Sequence, residues 1–117
     1  MDKKIFYARL TKTGKTYPVT LNFTKYTNNQ TLAVQLIEAQ APWSPFATIT
    51  VNLPESNFGI DLRKDKKYAF VDTNNNPWVE EFLLDNEIAK PTGITGQSGF
   101  CSYPLYEFDK DAQWVNP

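Results

Sequence analysis

Alternation of apolar and polar residues runs through the first half of the chain and restricts its folds more than any other feature. In residues 17–24, the apolar side chains Val19, Leu21 and Phe23 alternate with polar ones. The same period of two recurs in two later segments, 31–38 and 46–53, and a further strand is predicted over 5–10, an apolar run with less clear alternation. This period is typical of strands with one face buried and the other in water. Short links favour antiparallel neighbours, so residues 4–53 are predicted to form a four-stranded meander with turns at 13–15, 28–29 and 41–45.

One helix is predicted in the second half, over residues 77–87. Asn76 precedes it as a candidate N-cap, and Pro77 suits the first helical position, where no N–H is needed. The helix has one apolar face, formed by Trp78, Val79, Phe82 and Leu83. This face is expected to cover the sheet.

The remaining segments of 54–108 are predicted from composition and turn residues. A loop is expected over 53–59, followed by a charged stretch over 63–67 and a short strand over 68–71. Residues 90–99 are rich in Gly, Thr and Ser and are predicted to be a loop, with a strand over 100–108. Pro104 indicates that this last strand lies at an edge or contains a bulge. The tail, 109–117, is expected to be a last helical turn or disordered.

These elements together predict an α+β fold. We expect a single antiparallel sheet of about five to six strands, with the one helix packed on one face. The length of 117 residues predicts a single domain over 1–117.

The residue content argues against several classes of chemistry. The chain has no histidine, so a Ser-His-Asp or Cys-His nucleophile is excluded. Its one cysteine, Cys101, is too few for a Cys-only zinc site or an internal disulfide. We therefore expect no catalytic residues, no metal site and no cofactor, and the protein is predicted not to be an enzyme.

The cysteine content and the lengths of the apolar segments also indicate the cellular compartment. A disulfide-free chain suits a reducing compartment. The first apolar stretch ends at Arg9, which is too early for a signal peptide, and no segment has the run of apolar residues that a membrane span needs. The sequence predicts a cytoplasmic protein without a membrane partner.

Charge is divided unevenly between the two halves. Residues 1–54 contain six basic and two acidic residues, for a net charge of +4, whereas residues 55–117 contain six basic and eleven acidic ones, for a net charge of −5. Such asymmetry favours an electrostatic partner, although it can also be internal to the fold. The candidate partner-binding residues are the carboxylates on or near the helix, Glu80, Glu81, Asp85 and Glu87.

An alternative interaction site is predicted in the basic half. Lys12, Lys15 and Lys25 lie near aromatic residues in the meander. Lysines with neighbouring aromatics on a sheet are typical of proteins that bind single-stranded nucleic acid. The isoelectric point of about 5.3 argues against this alternative.

Residues 70–82, FVDTNNNPWVEEF, and residues 98–108, SGFCSYPLYEF, form a distinctive pair of segments. With 90–93 and the opening of the chain, they resemble a family of small uncharacterised proteins carried by conjugative elements, plasmids and phages of Gram-positive gut bacteria. The resemblance implies a mobile-element accessory protein. Small proteins of this kind include inhibitors of host defence, so the expected function is anti-CRISPR-like binding to a basic surface of a CRISPR effector nuclease. A single-strand-binding protein of transfer or replication is the alternative.

Overall fold

The computed structural model describes residues 2–28, 30–53 and 67–115. The elements follow in the order β1 (Phe6–Arg9), β2 (Thr16–Lys25), β3 (Leu32–Glu38), β4 (Pro45–Thr48), β5 (Thr50–Val51), β6 (Tyr68–Val71), α1 (Val79–Asp85), β7 (Ala89–Ser98), β8 (Cys101–Phe108) and a 3-10 helix (Lys110–Gln113). The strand over 68–71 is confirmed. The predicted loop over 53–59 and charged stretch over 63–67 lie almost entirely outside the described residues.

The first sheet is the predicted meander. Its strands lie in the order β1-β2-β3-β4, and each is antiparallel to the next. Val19 and Leu21 are fully buried, and Phe23 is half-buried against the core. In β2 the period of two therefore predicted the face that packs inward.

The segment predicted as one strand over 46–53 divides at Ile49. Residues before it pair in the first sheet as β4, and residues after it pair in a second sheet as β5. The Ile49 N–H donates to the carbonyl oxygen of Val34 in β3 (3.0 Å), and its carbonyl oxygen accepts from the N–H of Asp72 after β6 (2.8 Å). One buried residue thus joins the two sheets.

The prediction of a single sheet is wrong, because the second half builds an antiparallel sheet of its own, with strand order β5-β6-β8-β7. Each of the two sheets has four strands. The predicted loop over 90–99 is most of β7, which pairs with β8 from Ala89 opposite Phe108 to Ser98 opposite Cys101. Cross-strand pairing with β8 outweighs the low strand propensity of Gly and Ser in this segment.

Pro104 lies on β8, which is an inner strand between β6 and β7. The edge position predicted for this strand is wrong, and the irregularity lies in the partner strand β7, whose register shifts between Pro91 and Thr95. Pairing of β8 with β6 ends at Leu105, so Pro104 lies just beyond it. A proline is tolerated here because this part of β8 pairs with β7 alone among the described strands.

Helix α1 is shorter than the predicted 77–87, and Asn76 does not cap it. Its first residue is Val79, and the preceding Trp78 makes no side-chain capping bond. The Asn76 Nδ2 donates instead to the carbonyl oxygen of Thr48 (3.1 Å), which ties this turn to the end of β4. The Asn76 side chain is therefore directed to β4 by a tertiary contact.

The predicted apolar face of α1 is confirmed, and it completes the main core between the two sheets. Trp78, Val79, Phe82 and Leu83 are all buried. The Trp78 ring meets the rings of Phe46 and Phe82 edge to face, at centroid distances of 6.2 and 6.0 Å. A smaller cluster of Phe70, Tyr103 and Leu105 lies on the opposite face of the second sheet.

The two ends of the described chain pair with each other. Lys3 forms an antiparallel bridge with Trp114, directly after the 3-10 helix. The Lys3 ammonium donates to the carbonyl oxygen of Leu21 (2.6 Å) and to Gln113 Oε1 (2.5 Å), and it lies 4.7 Å from the centre of the Trp114 ring. Within the described part of the tail, Lys110–Gln113 forms a last helical turn, which is one of the two predicted outcomes. No helix within the described residues is long and apolar enough to span a bilayer.

Candidate protein-binding surface

Exposed carboxylates surround an exposed leucine on α1. Glu81, Leu84 and Asp85 have the i, i+3, i+4 spacing that places side chains on one face of a helix. Both carboxylates are exposed, and 48% of the Leu84 surface remains accessible. Glu87 follows the helix and is exposed as well, at a residue with a φ of 54°.

A groove extends this surface from the end of α1 to the strands β7 and β8. It encloses about 540 Å³, and its lining includes Leu84, Glu87, Ile88 and Asp109. Asp109 is exposed and caps the 3-10 helix, accepting a hydrogen bond from the N–H of Asp111 (3.0 Å). We define the acidic surface as Glu81, Leu84, Asp85, Glu87 and Asp109. Its carboxylates come from two separate segments of the chain, residues 81–87 and Asp109.

Glu80 belongs to a different environment from the other predicted carboxylates. Its Oε1 accepts a hydrogen bond from the hydroxyl of Tyr106 (2.8 Å), which is buried in the core. Burial, together with Glu80, raises the pKa of Tyr106 well above its ordinary value. The Glu80 carboxylate therefore stabilises the helix-to-sheet contact and is only partly available to a partner.

Glu107 also has an internal role, although it lines the same groove. Lys90 and Lys67 lie 3.5 and 3.9 Å from its carboxylate oxygens, and the Tyr68 hydroxyl donates to it (3.2 Å). Burial favours the neutral acid, but the two lysines and the hydrogen bond outweigh it and lower the pKa of Glu107. This carboxylate is already paired, so it is not counted in the acidic surface.

The three lysines of the alternative site do not form one patch. Lys12 and Lys15 lie before β2, and Lys25 is its last residue. A strand of this length separates its ends by about 30 Å. All three lysines are exposed, but contact with one segment of nucleic acid would require it to follow the full length of β2.

Three of the nearby aromatic residues make contacts within the fold, whereas Tyr7 on β1 is largely exposed. Tyr17 stacks at a tilt on Phe46, with ring centres 5.4 Å apart, and Phe23 meets Phe108 at 6.2 Å. The Tyr26 hydroxyl lies 2.9 Å from Thr50 Oγ1. Base stacking needs an open ring face, which these contacts reduce.

A second groove lies beside the Asp72–Trp78 turn and was not foreseen from the sequence. It encloses about 440 Å³ and is lined by residues that include Lys12, Phe46, Trp78 and the three consecutive asparagines Asn74, Asn75 and Asn76. Asp72 shapes the turn, because its carboxylate accepts from the Asn75 N–H (3.0 Å) and from the Asn75 Nδ2 (2.9 Å). The groove combines apolar and amide side chains, and none of its lining residues in the described part of the chain is acidic.

Within the described residues, no three His, Cys, Asp or Glu side chains lie close enough together to hold a metal ion. The Cys101 thiol is free and half-buried, beside the smaller core cluster.

Comparison with known proteins gives one match. A family model described as a domain of unknown function, DUF4313, matches residues 20–115. No curated protein and no solved structure matches the chain significantly.

Proposed function

The chain belongs to the DUF4313 family, and from that premise we propose that it is a non-enzymatic mobile-element protein that inhibits a host defence nuclease. It binds a basic surface of that nuclease, for which a CRISPR effector is the first candidate. The observation that supports this proposal is the acidic surface around α1. The mobile-element origin rests on the resemblance of residues 70–82 and 98–108.

The arrangement of the acidic surface suits contact with a nucleic-acid-binding channel. Such channels are rich in Lys and Arg, and complementary charge accelerates association and selects partners. The four carboxylates are exposed and so accessible to a partner, and Asp109 also caps the 3-10 helix. Leu84 provides an apolar contact at the centre, where burial strengthens binding beyond what screened surface charges supply.

The test is inhibition of DNA cleavage by a panel of purified Cas9-type nucleases, with and without this protein. Glu81→Gln with Asp85→Asn removes two negative charges from the acidic surface without adding bulk. The matched control, Thr16→Lys with Thr24→Lys, changes the net charge equally at exposed positions of β2. We expect the first variant to weaken inhibition by about tenfold or more and the control to retain it.

Three results would contradict the proposal. One is a panel in which no nuclease is bound or inhibited. Another is a nuclease that the Glu81/Asp85 variant inhibits as strongly as the unmodified protein. The third is an equal loss in both double variants, which would indicate a general charge effect. Binding should also weaken as salt concentration rises.

Single-strand binding is a second proposal, and the groove beside Lys12 supports it. Its test is oligonucleotide binding at physiological salt, compared between Lys12→Ala, in the turn before β2, and Lys25→Ala, at the end of that strand. Submicromolar binding that is lost only in Lys12→Ala would favour this function. Binding that both variants retain would argue against a role for either lysine.

A further inference from the structure

The second groove, beside the turn that precedes α1, is built from three separate parts of the chain. Its lining comes from residues 10–12 after β1, from Phe46 and Ala47 of β4, and from residues 74–78. The Trp78 ring packs edge to face on Phe46, with centroids 6.2 Å apart, so two of these parts are fixed to each other. The volume of about 440 Å³ is within the range of small-molecule sites.

Hydrogen bonds within the fold orient two of the three asparagine amides in this groove. Asn75 Nδ2 donates to the Asp72 carboxylate (2.9 Å), and Asn76 Nδ2 donates to the carbonyl oxygen of Thr48 (3.1 Å). Neither Oδ1 oxygen accepts a hydrogen bond from the described residues, and the exposed Asn74 side chain makes none with them. The groove therefore has two oriented acceptors and one amide that can both donate and accept.

Lys12 gives the groove its charge. Its side chain is exposed and forms no ion pair with any residue that the structure describes. The described lining includes no carboxylate, so nothing there competes for the ammonium group. A lysine in such surroundings attracts an anionic group of a ligand.

The lining thus calls for a ligand with three properties: an anionic group for Lys12, a flat apolar body for the wall of Phe46 and Trp78, and N–H donors for the amide oxygens. An adenine nucleotide has all three. Its exocyclic amine has two N–H donors, and the adjacent ring nitrogen accepts, which matches the paired donor and acceptor of an asparagine amide. A fatty acid lacks the N–H donors, a sugar lacks the flat apolar ring, and a peptide brings a carbonyl acceptor with each N–H donor.

We propose that this groove binds an adenine nucleotide, with its phosphate at Lys12 and its base between the apolar wall and the asparagine amides. The nucleotide is either free or part of a single strand, and in the second case the inference extends the single-strand-binding function. It does not depend on the acidic surface.

The test is titration of the full chain with adenosine monophosphate (AMP), followed by the NMR chemical shifts of backbone amides. We expect a dissociation constant of about 10–100 μM, with the largest shifts at residues 10–12 and 74–78. Inosine monophosphate has a carbonyl group in place of the exocyclic amine. It should bind at least about tenfold more weakly, because the amide oxygens then lose their donors.

Two lysine variants test the phosphate contact. Lys12→Ala should weaken AMP binding at least about tenfold. Lys110→Ala is the matched control, since it removes the same charge at an exposed lysine that does not line the groove, and AMP binding should be unchanged. Adenosine lacks the phosphate, so it should bind Lys12→Ala and the unmodified protein equally. That equality separates a lost phosphate contact from a change in the shape of the groove.

Three results would overturn the proposal: no shift at millimolar AMP, shifts that lie outside the groove, and equal weakening by Lys12→Ala and Lys110→Ala. A deoxyadenosine oligonucleotide distinguishes the two sources of the nucleotide. Tighter binding than AMP, lost in Lys12→Ala, supports the proposal with a strand as the source, and equal binding supports it with a free nucleotide. Oligonucleotide binding without AMP binding would overturn the nucleotide site but not the single-strand-binding function. Nuclease inhibition is tested separately.

Discussion

At the scale of single residues, close packing assigns roles that residue type alone does not indicate. Gly96 has a backbone conformation that other residues can adopt. Glycine is needed here because a side chain would meet neighbouring atoms. A Cβ at this position would lie 2.7 Å from Cε1 of Phe70 and 3.0 Å from Cδ1 of Leu53. Gly96 therefore allows the Phe70 ring to approach β7 closely in the smaller core cluster.

Gly96→Ala should lower the free energy of unfolding by about 1–3 kcal/mol, because the added methyl group overpacks a buried site. Urea denaturation measures the change. Gln97→Ala, at the neighbouring exposed position, is the control and should remain within about 0.5 kcal/mol of the unmodified protein. Equal stability of the two variants would show that Phe70 moves aside without cost.

Tyr106 provides a prediction about pH. Its raised pKa means that the folded protein retains the hydroxyl proton at a pH where the unfolded chain, with a tyrosine pKa of about 10, has lost it. Stability that is fully present below pH 10 is therefore lost as the pH rises above that value.

Tyr106→Phe should reduce this alkaline loss of stability. Urea unfolding at neutral pH and at about pH 11 gives the free energy of unfolding for both proteins. The decrease between the two pH values should be smaller in the variant, while the lysines and the other tyrosines titrate alike in both. Parallel decreases would contradict a proton held at the Tyr106 hydroxyl.

At the scale of elements, α1 is held by its buried face and contributes few stabilising contacts of its own. The helix is only seven residues long and has no side-chain cap, and helices this short are marginal in isolation. Trp78 precedes it and packs on Phe46 of β4, so it connects the helix to the first sheet.

Trp78→Ala should destabilise the protein by about 3–5 kcal/mol, the usual cost of truncating a buried aromatic residue. Chemical denaturation measures this loss, and Trp78→Phe is the milder variant if the alanine protein does not fold. Leu84→Ala truncates a half-exposed residue of the same helix and should cost far less. A Trp78→Ala protein as stable as Leu84→Ala would contradict the docking of α1 through this ring.

At the scale of the whole molecule, the two ends of the described chain close the fold by pairing. On either side of the Lys3–Trp114 bridge, the Lys4 N–H donates to the carbonyl oxygen of Gln113 and the Val115 N–H donates to the carbonyl oxygen of Asp2, both at 2.9 Å. Contacts so distant in sequence cost loop-closure entropy, and side-chain contacts such as that of Trp114 with Lys3 help to offset it.

Trp114→Ala should weaken the pairing of the two chain ends and lower the free energy of unfolding by about 1–2 kcal/mol. Amide hydrogen exchange at Lys4 and Val115 should become faster, while exchange in β3 follows only the change in global stability. Trp43→Ala, at a largely exposed tryptophan, is the matched control and should leave exchange at both amides unchanged. Unchanged exchange in Trp114→Ala would show that the backbone bridge persists without the ring.

The candidate site was only partly predictable from the sequence. Helical spacing separates Glu81 and Asp85 from the apolar face, and both are exposed. The same spacing could not reveal that Glu80 bonds to Tyr106, which is 26 residues away in sequence. Asp109 joins the acidic surface because β8 returns the chain to the end of α1, and no local pattern contains that information. The separation of Lys15 from Lys25 depended on the full length of β2.

The spacing of apolar residues by itself determined the meander over residues 6–48 and the buried face of α1, because period and polarity act between neighbours along the chain. Only the tertiary structure decided that the chain leaves the first sheet at Ile49 and that residues 89–98 form a strand. Both outcomes depend on partners distant in sequence: Ile49 bonds to Val34 and Asp72, and β7 gains its hydrogen bonds from β8. A local pattern fixes which face of a strand is apolar, whereas backbone groups are satisfied wherever the folded chain brings a partner within reach.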